Sequence, residues 1–266
     1  NMKKLSIVIV FGLIISILCG CGAGKENKQK SLGDLPTVTV GCDNYSPFSF
    51  MDANGNMTGI DVELAREAFS RMGYAPEFVF INWEDKKNLL AKGSIDCIWS
   101  SFTMTDREDE YHWAGPYMRS HQVVAVNEDS DIQTLEDLEG KVMAVQSTTK
   151  PEDIIRSHDG TLPELRKVIS VQKRDLIFIL LSKGYVDALA AHDTSVDQFM
   201  EDSGLKFRIL EEPLQTVDLG VAFDKADTRG LNIQLTDTLK EMQKDGTVKQ
   251  IISKYLLNAD SYLEEE

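Results

Sequence analysis

Apolar positions along this chain fall in short runs separated by polar, Gly-containing corners, and their period switches between two and about 3.6. Thr37-Val-Thr-Val-Gly-Cys42 is rich in β-branched residues and predicts a strand, and Asp52-Ala-Asn-Gly55 predicts a turn. Over residues 61–72, Ala65, Ala68, Phe69 and Met72 recur at helical spacing. Asp61 and Glu63 stand near the end where a helix dipole favours negative charge, so a helix is expected there. Residues 77–81 predict the next strand, and Asn82 can cap a helix over 83–92. Further strands are expected at 123–126 and 142–145, with an apolar helix around 176–181. Near the end, Leu231, Leu235, Leu239 and Met242 follow helical steps. Asp245-Gly246 breaks that run, and Val248, Ile251, Ile252 and Tyr255 resume it. Strands alternating with helices predict an α/β architecture with largely parallel sheets.

One internal echo organises the pattern. Ala91-Lys-Gly-Ser-Ile-Asp96-Cys97 and Ser182-Lys-Gly-Tyr-Val-Asp187-Ala188 share a K-G-x-[IV]-D-x sequence, each closing a helix and opening a short apolar strand. The echo predicts two similar α/β lobes. Ser100-Ser101-Phe102-Thr103 follows the first strand and His192-Asp193-Thr194 the second. Ligands collect at the carboxyl ends of strands in open α/β sheets, so a cleft between the lobes would be lined by these small polar groups.

The first residues read differently. Lys3 and Lys4 precede an uncharged apolar run over 5–18, too short for a membrane-spanning helix, which predicts an export signal over residues 1–20. Leu18-Cys19-Gly20-Cys21 resembles a bacterial lipobox, which implies cleavage before Cys21 and its lipidation. Two acyl chains, at roughly 0.8 kcal/mol per buried methylene, hold a protein where one does so only reversibly. Residues 22–35 are polar and aperiodic, so 21–35 reads as a lipidated Cys followed by a flexible tether.

Charge narrows the class of partner. With 28 Lys and Arg against 43 Asp and Glu, a net charge of −15, the surface argues against nucleic acid and gives no reason to expect binding to anionic lipid. Of the four Cys, Cys42 and Cys97 would remain free of the signal and the anchor, either as an oxidised pair between strands or as two buried thiols. No Cys or His cluster has metal-ligand spacing, and no cofactor is expected.

A set of motifs running from Val38 to Leu256 makes the resemblance specific. They are Gly41-x-Asp43-x-Tyr45-x-Pro47-Phe48, Gly59-Ile-Asp61, Thr103-x-Thr105-x-Arg107, Trp113-Ala-Gly-Pro116-Tyr117, Val145-Gln146-x-Thr148-Thr149, Asp187-Ala188 with His192-Asp193, and Leu219-Gly-Val-Ala-Phe223. In this order they resemble the polar amino-acid solute-binding proteins of ABC importers, with the two-lobed type II periplasmic-binding-protein fold and a ligand cleft between lobes. The resemblance implies a discontinuous first lobe at 36–119 and 219–258, a second lobe at 120–218 and an acidic tail at 259–266. The chain would cross between them near residues 119–122 and 215–218.

The same resemblance implies roles at the site. Arg107 would take the ligand's α-carboxylate through a two-pronged contact. Ser101, Thr103, Thr148 and Thr149 would add donors, and Asp193 would accept from the α-ammonium, with His192 the alternative. Asp43 and Tyr45 would line the side-chain pocket, Trp83 and Phe102 would give apolar walls, and Gln146 a polar contact. Two spacings depart from the family pattern, one residue fewer between Thr103 and Arg107 and one more between Asp187 and Asp193. The implied protein is a monomeric, lipid-anchored, extracytoplasmic carrier of a free amino acid to permease subunits, catalysing nothing. An enzyme on the same fold, a dehydratase of cyclic dienyl acids with Glu84 or His192 as its acid, is the rival class, and a ligand-sensing domain is a further one.

Overall fold

The structure is a computed structural model that describes residues 35–263. The expected signal, the Cys21 anchor, the tether up to residue 34 and the last three residues of the expected tail lie outside them. The chain opens with β1 (Thr37–Cys42), passes a hairpin of β2 (Phe50–Met51) and β3 (Met57–Thr58), and continues through α1 (Ile60–Met72) and β4 (Ala75–Phe80). A 3-10 turn at Trp83–Asp85 leads into α2 (Lys86–Ala91) and β5 (Cys97–Thr103), and then comes the 16-residue strand β6 (His112–Asn127). Next are β7 (Val142–Gln146), α3 (Lys150–Ser157), β8 (Lys167–Val171), α4 (Arg174–Ser182), β9 (Ala188–His192), α5 (Asp193–Ser203) and β10 (Phe207–Ile209). The chain returns through β11 (Gln215–Phe223), α6 (Leu231–Lys244) and α7 (Thr247–Ile252).

The strands run β4-β1-β5-β11-β6-β9-β7-β8, with β10 added to β6. β1 lies parallel to both β4 and β5, and β7 lies parallel to both β8 and β9. The same β-α-β-α-β unit therefore occurs twice, each time with its first strand in the middle. The sequence echo marks the same corner of each unit. Gly93 and Gly184 both take left-handed φ values, 69° and 70°, where a side chain is disfavoured. The Asp that follows then clips onto the central strand. Thr39 N–H donates to Asp96 Oδ2 at 2.7 Å while Asp96 N–H donates back to Thr39 O at 2.8 Å. Val142 and Asp187 repeat both bonds at 2.7 and 2.8 Å.

Between the units the sheet narrows. β11 pairs with β6 from Gln215↔Gln122 through Asp218↔Arg119, whereas the pairing of β11 with β5 begins at Leu219 and that of β6 with β9 at Gln122. Over Arg119–His121 and Thr216–Asp218 the sheet is two strands wide.

Each unit buries both faces of its sheet. In the second, Val124, Val126, Met143, Val145, Ala188 and Ala190 join one core with Ile154 and Ile155 of α3. Their neighbours Val123, Ala125, Val142, Ala144, Leu189 and Ala191 join the opposite core with Ile177, Phe178 and Leu181 of α4. A strand with both faces covered reads as a continuous apolar run, which is why these segments carry no alternation in the sequence. The first unit packs α1, α6 and α7 on one face around Val38, Val40, Leu64, Phe69, Leu235 and Ile252, and sets Trp83, Ile98, Phe102 and Tyr111 on the other.

Local expectations were met to different degrees. Helix α1 begins at Ile60 after Gly59, whose φ of 121° and whose clearance, a Cβ there standing 2.3 Å from Phe48 O, both require glycine. The helix expected at 83–92 is instead a 3-10 turn followed by the six residues of α2, and the Asn82 side chain makes no capping bond. The strand expected at 123–126 is only the end of β6: Gly115-Pro116 interrupts the apolar residues of its first part, and the polar stretch Arg119–Gln122 owes its strand state to pairing with β11. Ala259–Tyr262 forms a 3-10 turn whose Ala259 is buried in the first core. Cys42 and Cys97 are free and buried, and burial pushes the Cys42 thiol up to about 12. Among the described residues no helix is long and apolar enough to cross a membrane.

Candidate functional site

Both units contribute to the lining of one partly open cavity. From the first unit come Trp83, Ser100, Ser101, Phe102, Thr103 and Arg107; from the second come Gln146, Thr149, Lys150, Arg174 and His192; Gln122 of β6 joins them. The end of β5 presents the first group. Ser101 takes a left-handed φ of 46°, held there because its N–H donates to Asp61 Oδ2 at 2.6 Å. Asp61 also accepts from Tyr117 Oη at 2.8 Å, and burial pushes its carboxyl up to about 7. Strain of this kind persists only where the surroundings over-determine it.

Aromatic rings make the floor. Trp83 meets Phe102 edge-on with centroids 5.2 Å apart, and Tyr111 and Trp113 pack on the other sides of Phe102 at 5.5 and 5.1 Å. Arg107 lays its guanidinium over Phe102, 5.4 Å from the centroid, with its backbone O taking the Trp113 indole N–H at 2.8 Å. Its Nη2 pairs with Asp153 of α3, across the cavity. Further bonds join the units nearby: Lys150 to Asp106 at 2.7 Å, Ser147 to Glu84 at 2.7 Å, Gln146 to Asp43 at 3.0 Å, and Lys86 to Thr148 Oγ1 at 2.9 Å. Burial first, then the neighbouring Arg107 and Lys87, push the Lys86 ammonium down to about 8.

Of the twelve ligand-site residues expected from the sequence, Trp83, Ser101, Phe102, Thr103, Arg107, Gln146, Thr149 and His192 line the cavity. Asp43, Tyr45, Thr148 and Asp193 are absent from its lining, each for a local reason. Arg174 lies over the Tyr45 ring and pairs with Asp43, covering both. Thr148 is exposed and engaged by Lys86. The Asp193 carboxylate turns to Ser120 Oγ at 3.3 Å, to His121 Nδ1 at 3.1 Å and to the N–H of Thr194 at 2.7 Å, leaving His192 on the wall. The His192 ring bonds Ser120 Oγ at 2.9 Å and takes a hydrogen bond from Gln122 Nε2 at 3.1 Å. Burial first, then the Arg174 charge, push it down to about 3, so it is neutral at physiological pH.

Several polar atoms here are buried without a hydrogen-bond partner among the described residues: Ser101 Oγ, Trp83 Nε1, Gln122 Oε1, Gln146 Oε1 and Arg174 Nη1. Buried polar groups are nearly always paired, and of the buried unpartnered side-chain atoms among the described residues these five line the one cavity, whereas Tyr45 Oη, Trp99 Nε1, Tyr111 Oη, Thr194 Oγ1 and Gln215 Oε1 lie outside its lining. Among the described residues no group of three or more His, Cys, Asp or Glu is placed to hold a metal ion. Sequence reasoning missed Arg174, Gln122 and Lys150. Arg174 opens α4, where the pattern signals only the buried Ile177, Phe178 and Leu181.

Known proteins are similar to this chain over most of their length. The L-cystine-binding protein TcyA of Bacillus subtilis (strain 168) is 29% identical across 96% of this chain and 97% of its own. The putative amino-acid ABC transporter-binding protein PatH of Vibrio harveyi is 31% identical across 79% of this chain and 84% of its own. Among solved structures, the ancestral amino-acid-binding protein AncCDT-1, a precursor of cyclohexadienyl dehydratase, is 28% identical and superposes with a TM-score of 0.74 over 83% of this chain and 97% of that one. Residues 38–258 match the family model of the bacterial extracellular solute-binding proteins, family 3, so the chain belongs to that family and has its two-lobed α/β fold.

Proposed function

We propose that this protein captures a free amino acid between its lobes outside the cytoplasm and delivers it to the permease of an ABC importer, without catalysing a reaction. The observation that carries this reading is the cavity itself, lined from both lobes and rich in buried, unpartnered polar atoms. Arg107 takes the α-carboxylate with the guanidinium nitrogens that Asp153 leaves free, and Ser101, Thr103, Thr148 and Thr149 supplement it. The α-ammonium is met by His192, by Asp193 turned inward, or by both. Asp43, Tyr45, Trp83, Phe102 and Gln146 bound the side chain. The first lobe comprises residues 36–119 and 219–258 and the second residues 120–218, a division supported by the two-strand neck. That neck is the hinge, and bonds formed only when the lobes meet are what shift an open population toward closure. Residues 1–20 direct export, Cys21 carries the lipid, and the protein acts as a monomer.

Ligand binding to the folded state alone raises its melting temperature. In a thermal-shift screen of the free amino acids with cystine and ornithine, at least one is expected to stabilise the protein by several degrees. If none does while a cyclic dienyl acid is consumed, the protein is a dehydratase instead. Glu84, one acid that chemistry could recruit, here accepts hydrogen bonds from Ser147 and Gln172.

A further inference from the structure

Behind the cavity wall, covered by Arg174, lies a cation site whose occupant is part of the protein. An aromatic face beside a carboxylate is a general receptor for a cationic group. Tyr45 and Asp43 form that pair, and Arg174 fills it. The Arg174 guanidinium carbon lies 3.3 Å from the Tyr45 ring centroid, and its Nη2 lies 3.2 Å from Asp43 Oδ2. Gln146 Nε2 donates to the same oxygen at 3.0 Å, so Asp43 is already satisfied from within. A cationic ligand side chain could take this slot only by displacing one guanidinium with another positive group.

The rest of the lining points the same way. Arg107, Lys150 and Arg174 all face the cavity, and no Asp or Glu among the described residues lines it. Each of the three pairs with one carboxylate outside the lining: Asp153, Asp106 and Asp43. Arg174 keeps one donor, Nη1, buried and without a partner among the described residues. The unpartnered amide oxygens of Gln122 and Gln146 can only accept and suit a single ammonium, while the unpartnered Ser101 hydroxyl can also donate.

We infer that Arg174 is a specificity-determining residue: it excludes amino acids with cationic side chains and receives a second carboxylate at the far end of the ligand. This rests on the cleft being the amino-acid site. The ligand class is an amino acid with two separated carboxylates, which includes short acidic amino acids and the longer, double-ended cystine.

Isothermal titration of the full protein with L-glutamate, L-aspartate, L-cystine, L-glutamine and L-arginine tests it. At least one of the dicarboxylates is expected to bind at least about tenfold more tightly than arginine or glutamine, and which one reports the length of the pocket. Arg174→Gln should lower that affinity at least about tenfold and let arginine bind, since Tyr45 and Asp43 are then vacant. Arg174→Lys keeps the charge but loses the forked donor, so dicarboxylate affinity should fall while arginine stays excluded. Tight binding of arginine or glutamine to the unmodified protein overturns the assignment alone. So does unchanged dicarboxylate affinity in Arg174→Lys, even if Arg174→Gln does not fold. Binding of no free amino acid overturns it together with the reading of the cleft.

Discussion

At the residue scale, two strongly perturbed groups beside the cavity respond to pH with opposite sign. The Asp61 carboxyl rises from an ordinary 3.8 to about 7, so the stability it contributes is full below pH 3.8 and is lost as pH rises through 7. The His192 ring falls from 6.5 to about 3, so its contribution is full above pH 6.5 and is lost as pH falls through 3. Between pH 3.8 and 6.5 the two slopes oppose each other. Asp61→Asn removes one of them, and the variant's unfolding free energy should rise with pH more steeply than that of the unmodified protein, by on the order of a few kcal/mol over the window. Denaturant midpoints taken every half pH unit would reveal this; parallel curves would refute it. Arg107→Ala addresses binding rather than stability. Asp153, the partner it abandons, is half exposed and can be rehydrated, so the fold should survive. Losing the guanidinium opposite a desolvated carboxylate typically costs ~2–5 kcal/mol, so calorimetry should show amino-acid binding weakened at least roughly thirtyfold. An unchanged affinity would place the carboxylate elsewhere.

At the scale of elements, the paired corners explain why a six-residue pattern recurs some ninety residues apart. A helix that ends on a left-handed glycine turns sharply enough for the following strand to lie beside the central one. The Asp then ties down an N–H of that central strand, Thr39 of β1 or Val142 of β7. Replacing Asp187 by Ala leaves the Val142 N–H without its carboxylate, in a segment that is 7% exposed, and an orphaned buried donor costs about 1–3 kcal/mol. Asp96→Ala removes the equivalent bond to Thr39 and an ion pair with Arg229 at 2.7 Å, which is half exposed and adds little. Both variants should therefore lose similar stability in urea unfolding, despite standing in different lobes. A loss in only one of them would mean that the shared pattern does not mark a shared mechanical role.

At the scale of the whole molecule, β11 is the element on which the first lobe depends. It lies between β5 and β6 and leads into α6 and α7, which pack on α1. A chain ending after Thr216 loses Leu219, Val221, Leu235, Leu239, Met242 and Ile252 from the core that holds Val38, Leu64 and Phe69. Trp83, Trp99 and Trp113 all lie in the first lobe, so their fluorescence reports on it alone. In that fragment the emission should match the denatured protein and show no cooperative transition on heating. A native emission maximum would show that the first lobe forms without residues 217–258.

The sequence by itself determined what depends on local spacing and chemistry. The alternation of strands and helices, the α1 and α6 stripes, the two Lys-Gly corners and the order of motifs through Arg107 and Val145-Gln146 were all legible. Periodicity and the demands of glycine act within a few residues. The sequence did not reveal the first part of β6, broken by Gly115-Pro116 and then polar over Arg119–Gln122, whose strand state is dictated by pairing with β11, nor the break of the 83–92 helix into two pieces. Above all it did not reveal Arg174. Its partner Asp43 lies more than one hundred residues earlier, on the other lobe. Only the closed tertiary structure brings the guanidinium over Tyr45, because a side chain's electrostatic partner is set by distance in space, and no local pattern encodes that distance.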